Sequence, residues 1–470
     1  MAENKLMRLL LTFTHPERQR FLDYLNSPFF NQNQELVKFY TAILPSLQKT
    51  NPQPLQEEKV WKKTMGAIPF DTARYHRISS DLLKNGERFL ATFRFSQNKS
   101  LQAAYTLHAL NEKKLLHDFP YALNYAQQLH QKSTYRDSEF YYTQFLIENE
   151  NNNYLDFVKK RIDDSNLKDV MHNLDVFYLI NKLRCCCAIL HYKNVTSFDT
   201  ELVLMDEIVH HLRAKSYQHI PVVNIYYVIL LTLIESEDEK HFLHLKKLIA
   251  NHEEQLPPLV NKEMYLYAIQ YCIVKINAGN LNYYREIFSI YQQCLQGDVL
   301  FDRGVIAPGN YKNIITVGLR LHEYQWTEDF IKKYNPYLPE DEQENAYTFN
   351  MARVFFFQKK YDEVLNLLQQ VEYNDVFYML DSKLTLIKTF YELDENESLD
   401  ALLDSFSMLL RRKKLISQQY RTIYTQFVFY VKKMLRYTDK KKLQALKDEI
   451  HTAKNVADLG WLKEKIDELV

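Results

Sequence analysis

The stretch VFFFQKKYDEVLNLL, residues 354–368, sets an aromatic cluster against the polar triplet Gln358-Lys359-Lys360, then resumes an apolar rhythm at Tyr361, Val364, Leu365 and Leu368. Apolar spacings of three and four on either side of so short a break are the pattern of two amphipathic helices joined by a tight turn. The arrangement recurs upstream: Gly318 and Ala352, Leu321 and Phe355, Phe330 and Val364, and Tyr334 and Leu368 are each 34 residues apart. In each unit a small residue lets two helices approach closely, an apolar residue follows one turn later, and a polar turn leads into a second helix. A helix pair of this size cannot bury its apolar faces alone and must stack on its neighbours.

Outward from this stretch, helices come in pairs from about residue 100, with first members opening near Leu101, Asp137, Leu174, Ile220, Asn261, Asn310, Asn345 and Val376. The segments ESEDEKH (235–241), NAGN (277–280) and DENES (394–398) read as equivalent turns. Composition points the same way: 8 Gly in 470 residues leaves little for tight turns or phosphate loops, while 34 Tyr and 28 Phe can fill many separate helix seams. Residues 1–100 read as a separate unit. In FLDYLNSPFFNQNQELVKFYTAIL two helices are divided at Ser27-Pro28, with Asn31 or Asn33 as cap. A polar, proline-bearing stretch follows over residues 47–58, and a further helix is expected to begin at Ser79-Ser80-Asp81. The chain is thus expected to be all-α, with a small helical N-terminal domain over 1–100, irregular hairpins over 101–309, regular hairpins over 310–404 and basic capping helices over 405–470.

The turn at Gln358-Lys359-Lys360, with Tyr361-Asp362-Glu363 after it, resembles the inter-helix turn of tetratricopeptide repeats, and Pro339 sits where such repeats often end. The resemblance covers residues 310–371 and fades on both sides. It implies a right-handed α-solenoid of stacked hairpins, whose first helices line a concave groove that accepts an extended peptide or a partner helix. The groove-facing positions it implies are Ile315, Leu319, Phe349 and Arg353. Repeats that clamp acidic C-terminal tails carry Lys, Asn and Arg at such positions; this chain mostly does not, which implies a more apolar ligand with Arg353 as a carboxylate contact. The opening of the chain, an SP-aromatic-aromatic-N element followed by S-D-L-L before a Phe-Leu helix, is similar to openings of uncharacterised bacterial helical proteins and implies no activity.

The usual catalytic constellations are missing. There is no GxGxxG, HExxH or GxSxG, and the glycine pair Gly304 and Gly309 is followed by Asn310-Tyr311 instead of Lys-Ser or Lys-Thr. No catalytic, cofactor-binding or metal-binding residue is assigned, and a non-enzymatic protein is expected. His241 and His244, and the adjacent His210 and His211, lack a matching Cys, Asp or Glu set. The run Cys185-Cys186-Cys187 cannot converge on one ion from a helix, where successive residues point about 100° apart, so it reads as small packing residues. An odd cysteine count without CxxC spacing points to a reducing compartment. The start is a poor signal peptide, and the longest strongly apolar run, residues 225–234, is half of what a bilayer requires. A cytoplasmic protein without a membrane span is expected.

Charge is the remaining feature. Lys and Arg total 59, as do Asp and Glu. Residues 411–442 nevertheless carry eleven bases and one acid, and residues 340–404 fifteen acids and five bases. Arg411, Arg412, Lys413 and Lys414, with Lys440, Lys441 and Lys442, form a candidate basic patch interleaved with Tyr420, Tyr424, Phe427, Phe429 and Tyr430. Two functions follow: a scaffold or adaptor that binds another protein along the groove, and, as the alternative, a nucleic-acid-associated or regulatory protein that uses the basic helices.

Overall fold

The computed structural model describes residues 5–47, 56–158, 165–195, 200–214, 217, 219–252, 256–368, 376–412 and 418–470, and these are helical almost throughout. The chain divides into two compact units, Met1–Cys185 and Cys186–Val470. The first contains α1 (Lys5–Leu11), α2 (His15–Asn26), α3 (Gln34–Leu47), α4 (Glu57–Met65), α5 (Thr72–Gln97), α6 (Lys99–Glu112), α7 (Phe119–Gln131), α8 (Ser138–Phe157) and the start of α9 (Leu167–Val195). The second contains the end of α9, then α10 (Met205–Ala214), α11 (Pro221–Ile234), α12 (Glu239–His252), α13 (Pro258–Asn277) and α14 (Tyr283–Gln296). A minimal hairpin, β1 (Phe301–Asp302) and β2 (Val305–Ile306), precedes α15 (Pro308–Arg320), α16 (Tyr324–Tyr334), α17 (Gln343–Phe357), α18 (Tyr361–Leu368), α19 (Val376–Glu392) and α20 (Asn396–Arg412). The chain ends in α21 (Gln418–Arg436), α22 (Lys440–Thr452) and α23 (Leu459–Leu469).

Seven of the eight helix openings read from the sequence lie within three residues of a helix start; the exception is α9, which begins at Leu167, not Leu174. In the first unit the segment after Asn26 is set by Asn31 and Asn33. The buried Asn31 amide donates to the Leu25 carbonyl at 2.8 Å, and Asn33 Oδ1 accepts from the Glu35 backbone N–H at 2.9 Å, so Asn33 serves the start of α3. The expected start at Ser79-Ser80-Asp81 is corrected: α5 runs unbroken from Thr72, with Asp71 as its N-cap. The apolar stripe Tyr75, Ile78, Leu82 and Phe89 carries the helix through the polar cluster, and Ser79 is buried within it. Around this long helix pack α1, α2 and α3. They share one aromatic core in which Phe21 meets Tyr40 at 4.9 Å and Phe89 at 5.2 Å between ring centroids.

From α11 onward the second unit follows one packing rule. Each helix contacts the next, and α11 contacts α13, α15 contacts α17, and α17 contacts α19. The first helices of four consecutive pairs end in the same way, on a left-handed residue: Gly279 (φ 96°), His322 (φ 59°), Lys359 (φ 59°) and Asp394 (φ 56°). In each, the N–H that follows reaches back to a carbonyl of the last helical turn: Asn280 to Lys275, Glu323 to Gly318, Lys360 to Phe355 and Glu395 to Phe390, at 2.9–3.0 Å. This is the Schellman closure, which satisfies carbonyls that a helix end leaves without partners. The polar breaks at 277–280, 358–360 and 394–398 are these closures, whereas α11 ends at Glu235 (φ −120°) without a left-handed residue.

They also correct the repeat register. His322 and Lys359 lie 37 residues apart, not 34, so the caps align Ile315 with Ala352 and Gly318 with Phe355. The difference of three residues equals the length of the 3-10 turn Asn335–Tyr337 inserted before α17. Gly318 does mark a close crossing: a Cβ there would sit 2.2 Å from Thr327 Oγ1 on α16. The β-hairpin was not expected either. It turns on Arg303 (φ 52°) and Gly304 (φ 81°), two successive left-handed residues that match the twist of a two-residue hairpin loop.

Candidate partner-binding site

Four first helices of the second unit, α15, α17, α19 and α21, turn one stripe each toward a common cavity of about 350 Å3. From α15 come Lys312, Thr316, Leu319 and Arg320; from α17, Phe349, Arg353, Phe356 and Phe357. From α19 come Asp381, Leu384, Thr385 and Lys388, and from α21, Tyr420, Ile423 and Tyr424. Spacings of three, four, seven and eight put each set on one helical face. Ala457 and Asp458, ahead of α23, close the cavity. A second cavity of about 380 Å3 shares Leu319, Arg320, Phe356, Phe357, Lys388 and Asp458 and extends toward Trp461 and Glu392.

Charge organises the wall. Asp458 adopts a left-handed backbone (φ 42°) at the N-cap of α23, yet its carboxylate caps nothing in that helix. It accepts instead from Lys388 Nζ at 2.5 Å, with Arg320 at 3.8 Å. Burial alone would raise the Asp458 carboxyl pKa; the charges of Lys388, Arg320 and Arg353 more than offset this and hold it below the ordinary carboxylate range. Lys388 is itself almost wholly buried, and its ammonium lies 4.5 Å over the Phe356 ring. The second carboxylate, Asp381, accepts from Tyr424 Oη at 2.5 Å and from Lys312 Nζ at 2.8 Å. Burial, then the Asp381 charge, raises the Tyr424 phenol pKa far above normal, so it stays a donor.

Arg353 stands between these pairs. Its guanidinium donates to Thr316 Oγ1 at 3.0 Å and Asn350 Oδ1 at 3.2 Å and lies 5.9 Å over the Phe349 ring. Burial lowers its pKa from the ordinary value, opposed by the more distant Asp381 and Asp458.

Of the four groove positions implied by the resemblance, Leu319, Phe349 and Arg353 line this cavity, and Ile315 does not. An accessible face, expected at Phe349 and Arg353, is corrected for Phe349: like Ile315 and Leu319 it is at most 2% exposed, because the side of the stripe toward the neighbouring helix is spent on packing. Arg353 alone is partly accessible. Sequence reasoning missed Lys312, Arg320, Asp381, Lys388, Tyr424 and Asp458. The partners Lys388 and Asp458 are 70 residues apart, a pairing that no local pattern encodes.

The basic residues do not form one patch. Arg411 and Arg412 are exposed at the end of α20, beside the start of α21, whereas Lys440, Lys441 and Lys442 are exposed in the first turn of α22, beyond its other end. The 19 residues of α21 separate them by about 27 Å at 1.5 Å per residue. Lys413 and Lys414 lie outside the described residues. Between the two ends Lys432 pairs with Asp404 at 2.6 Å and Lys433 with Glu449 at 2.9 Å. Of the interleaved aromatics, Tyr424, Phe427 and Tyr430 are buried, and Tyr420 and Phe429 are exposed.

Cys186 and Cys187 are buried, and Cys187 Sγ lies 3.5 Å from the Tyr226 carbonyl; Cys185 is exposed. His241 pairs with Glu235 at 2.7 Å, and burial lowers the pKa of His244. Among the described residues no helix is long and apolar enough to cross a membrane. Set against protein-family models, curated proteins and solved structures, the chain finds no match.

Proposed function

We propose that the chain is a protein-protein interaction scaffold of the cytoplasm, a right-handed α-solenoid of tetratricopeptide-like hairpins that holds a segment of a partner on the face of its first helices. The observation that carries this reading is the cavity shared by α15, α17, α19 and α21, where four equivalent helical stripes present apolar and charged side chains together. Groove-binding repeats recognise a partner segment through such a surface, with apolar anchors supplying affinity and a few polar groups fixing register. The repeated Schellman closures support the solenoid reading, because identical turns impose a similar geometry on each successive pair.

Photo-cross-linking tests the proposal. Tyr420, exposed at the cavity, and Gln325, exposed on the second helix α16, are each replaced by benzoylphenylalanine in the full chain. The expected result is a discrete cross-linked partner from position 420 and none from 325. Equal labelling from both positions, or none from 420, would remove the groove as the binding face.

A further inference from the structure

The cavity wall carries four cations, Lys312, Arg320, Arg353 and Lys388, against two carboxylates, Asp381 and Asp458. Asp381 is engaged by Lys312 and Tyr424, and Asp458 by Lys388 with Arg320 nearby. Arg353 is left with two neutral acceptors, Thr316 and Asn350, and among the described residues no carboxylate forms an ion pair with it. A guanidinium has five N–H donors and cannot give up its charge in a protein, so two bonds to neutral oxygens leave most of its capacity unused. Withdrawing such a charge from water is costly unless an anion meets it.

The wall shows what kind of anion it accepts. Asp458 is a carboxylate carried on the chain's own backbone, set on Lys388 with apolar Phe356 and Ala457 around it. Around Arg353 the surroundings are similar: Leu319, Phe349, Leu384 and Ile423 supply apolar wall, and the space of about 350 Å3 suits a side chain with part of its backbone.

We propose that this cavity binds an acidic segment of a partner protein, with one Asp or Glu carboxylate of the segment paired to Arg353 and a neighbouring apolar side chain against the partly exposed Phe357 and Ile423. This rests on the scaffold reading and names the ligand class for it. A bidentate carboxylate would use guanidinium donors left over by Thr316 and Asn350 and would bring the wall from an excess of two positive charges to one.

The test selects random dodecapeptides on the immobilised full chain, then compares synthetic peptides from the selected set with counterparts in which the enriched acid is replaced by Gln or Asn. The expected result is enrichment of a single Asp or Glu position next to an apolar residue, with binding about tenfold or more weaker for the amide peptide. In R353Q that ratio should fall to about one, while R353K, which keeps the charge but not the fork, should retain part of it. Circular dichroism and melting temperature establish that each variant folds; if R353Q does not, R353K carries the comparison. Selected peptides without an acidic position, or an acid preference unchanged in the Arg353 variants, would overturn the proposal. So would the absence of any enrichment, or inorganic phosphate at millimolar concentration displacing the peptides from the wild type but not from R353K, which would make the site one for free phosphate. Partner cross-linking at position 420 without an acid preference would leave the scaffold reading standing and this inference refuted.

Discussion

The described residues within 5–97 and within 308–412 are both mainly helical, but they use their aromatic residues in opposite ways. In the first region α5 gathers α1, α2 and α3 around one cluster in which Phe13, Phe21, Tyr24, Tyr40 and Phe89 touch one another. In the second, short helices closed by Schellman caps pack on their chain neighbours, and ring contacts are spread along the chain, as in Tyr311 on Phe330, Phe356 on Tyr361 and Phe349 on Tyr378. A single core makes every helix depend on every other. Where helices pack mainly on their chain neighbours, each pair depends on the next, and one face of the first helices is left to carry polar and charged groups.

The largest effect that would test this contrast is Phe21→Ala. Phe21 is wholly buried among other rings, and its truncation should cost about 3–5 kcal/mol. Hydrogen exchange should show protection falling together across α1–α5, with α15–α20 keeping theirs. Loss confined to α2 would mean that the N-terminal core is not cooperative.

Acid should separate buried groups of the two units by pH window. His130, stacked on Phe140 at 4.1 Å, has its pKa lowered to about 4, first by burial and then by the Arg136 charge. A buried neutral histidine binds its proton more readily in the unfolded chain, whose pKa is near 6.5. Its stabilising contribution is therefore complete above pH of about 6.5 and is lost as pH falls toward 4, with a size on the order of 3 kcal/mol. For Asp458 the folded carboxyl lies below its unfolded value, so its contribution persists through that range and disappears only as pH falls through the folded pKa. Protection relative to the intrinsic exchange rate at each pH should fall at α7 and α8 between pH 6.5 and 4, ahead of α23, and His130→Phe should flatten the first response while leaving the second. Simultaneous loss in both would contradict the assignment.

How much of this was legible depended on the range of the interaction. The polar turns at residues 235–241, 277–280 and 394–398 straddle helix boundaries because caps are local, and a positive φ at Lys359 or Asp394 sits inside a short polar break of the sequence. The register failed for the same kind of reason: matching Gly318 to Ala352 matched side-chain size, while the backbone aligns by its caps. Ser79-Ser80-Asp81 looked like a cap because serine and aspartate cap helices elsewhere, but the buried stripe from Tyr75 to Phe89 overrode them. Arg353 was found from one helix face. Its neighbours Lys388 and Asp458, brought together across 70 residues, were beyond any local pattern.

A smaller effect sharpens the register itself. Gly318→Ala forces a methyl against Thr327 Oγ1, which costs about 1–3 kcal/mol in overpacking, less up to about 1 kcal/mol gained in helix propensity. Thermal unfolding should show a net loss that Thr327→Ala largely restores. An unchanged melting temperature for the single variant would mean that α15 and α16 do not cross at this point.

The smallest expected effect concerns the basic ends of α21. Changing Lys440, Lys441 and Lys442 to Gln should alter stability by less than about 0.5 kcal/mol, since all three are exposed, their bonds to Asp439 come from the backbone N–H groups of Lys441 and Lys442, and the Lys442 ammonium lies as far as 6.0 Å from the Tyr437 ring centroid. Nucleic-acid retention by the wild type should vanish by roughly 0.15 M salt, because clusters about 27 Å apart exceed the screening length of about 8 Å. Sub-micromolar binding at that salt, weakened by the triple change, would promote the nucleic-acid reading over the scaffold.

The central claim, that a partner is held on the first helices, is tested most directly by hydrogen exchange of the full chain with and without a saturating peptide recovered by selection. Added protection is expected on α15, α17, α19 and α21, where the cavity-lining stripes lie, and none on α16, α18 and α20. Protection on the second helices, or confined to α22 with its exposed lysines, would contradict it.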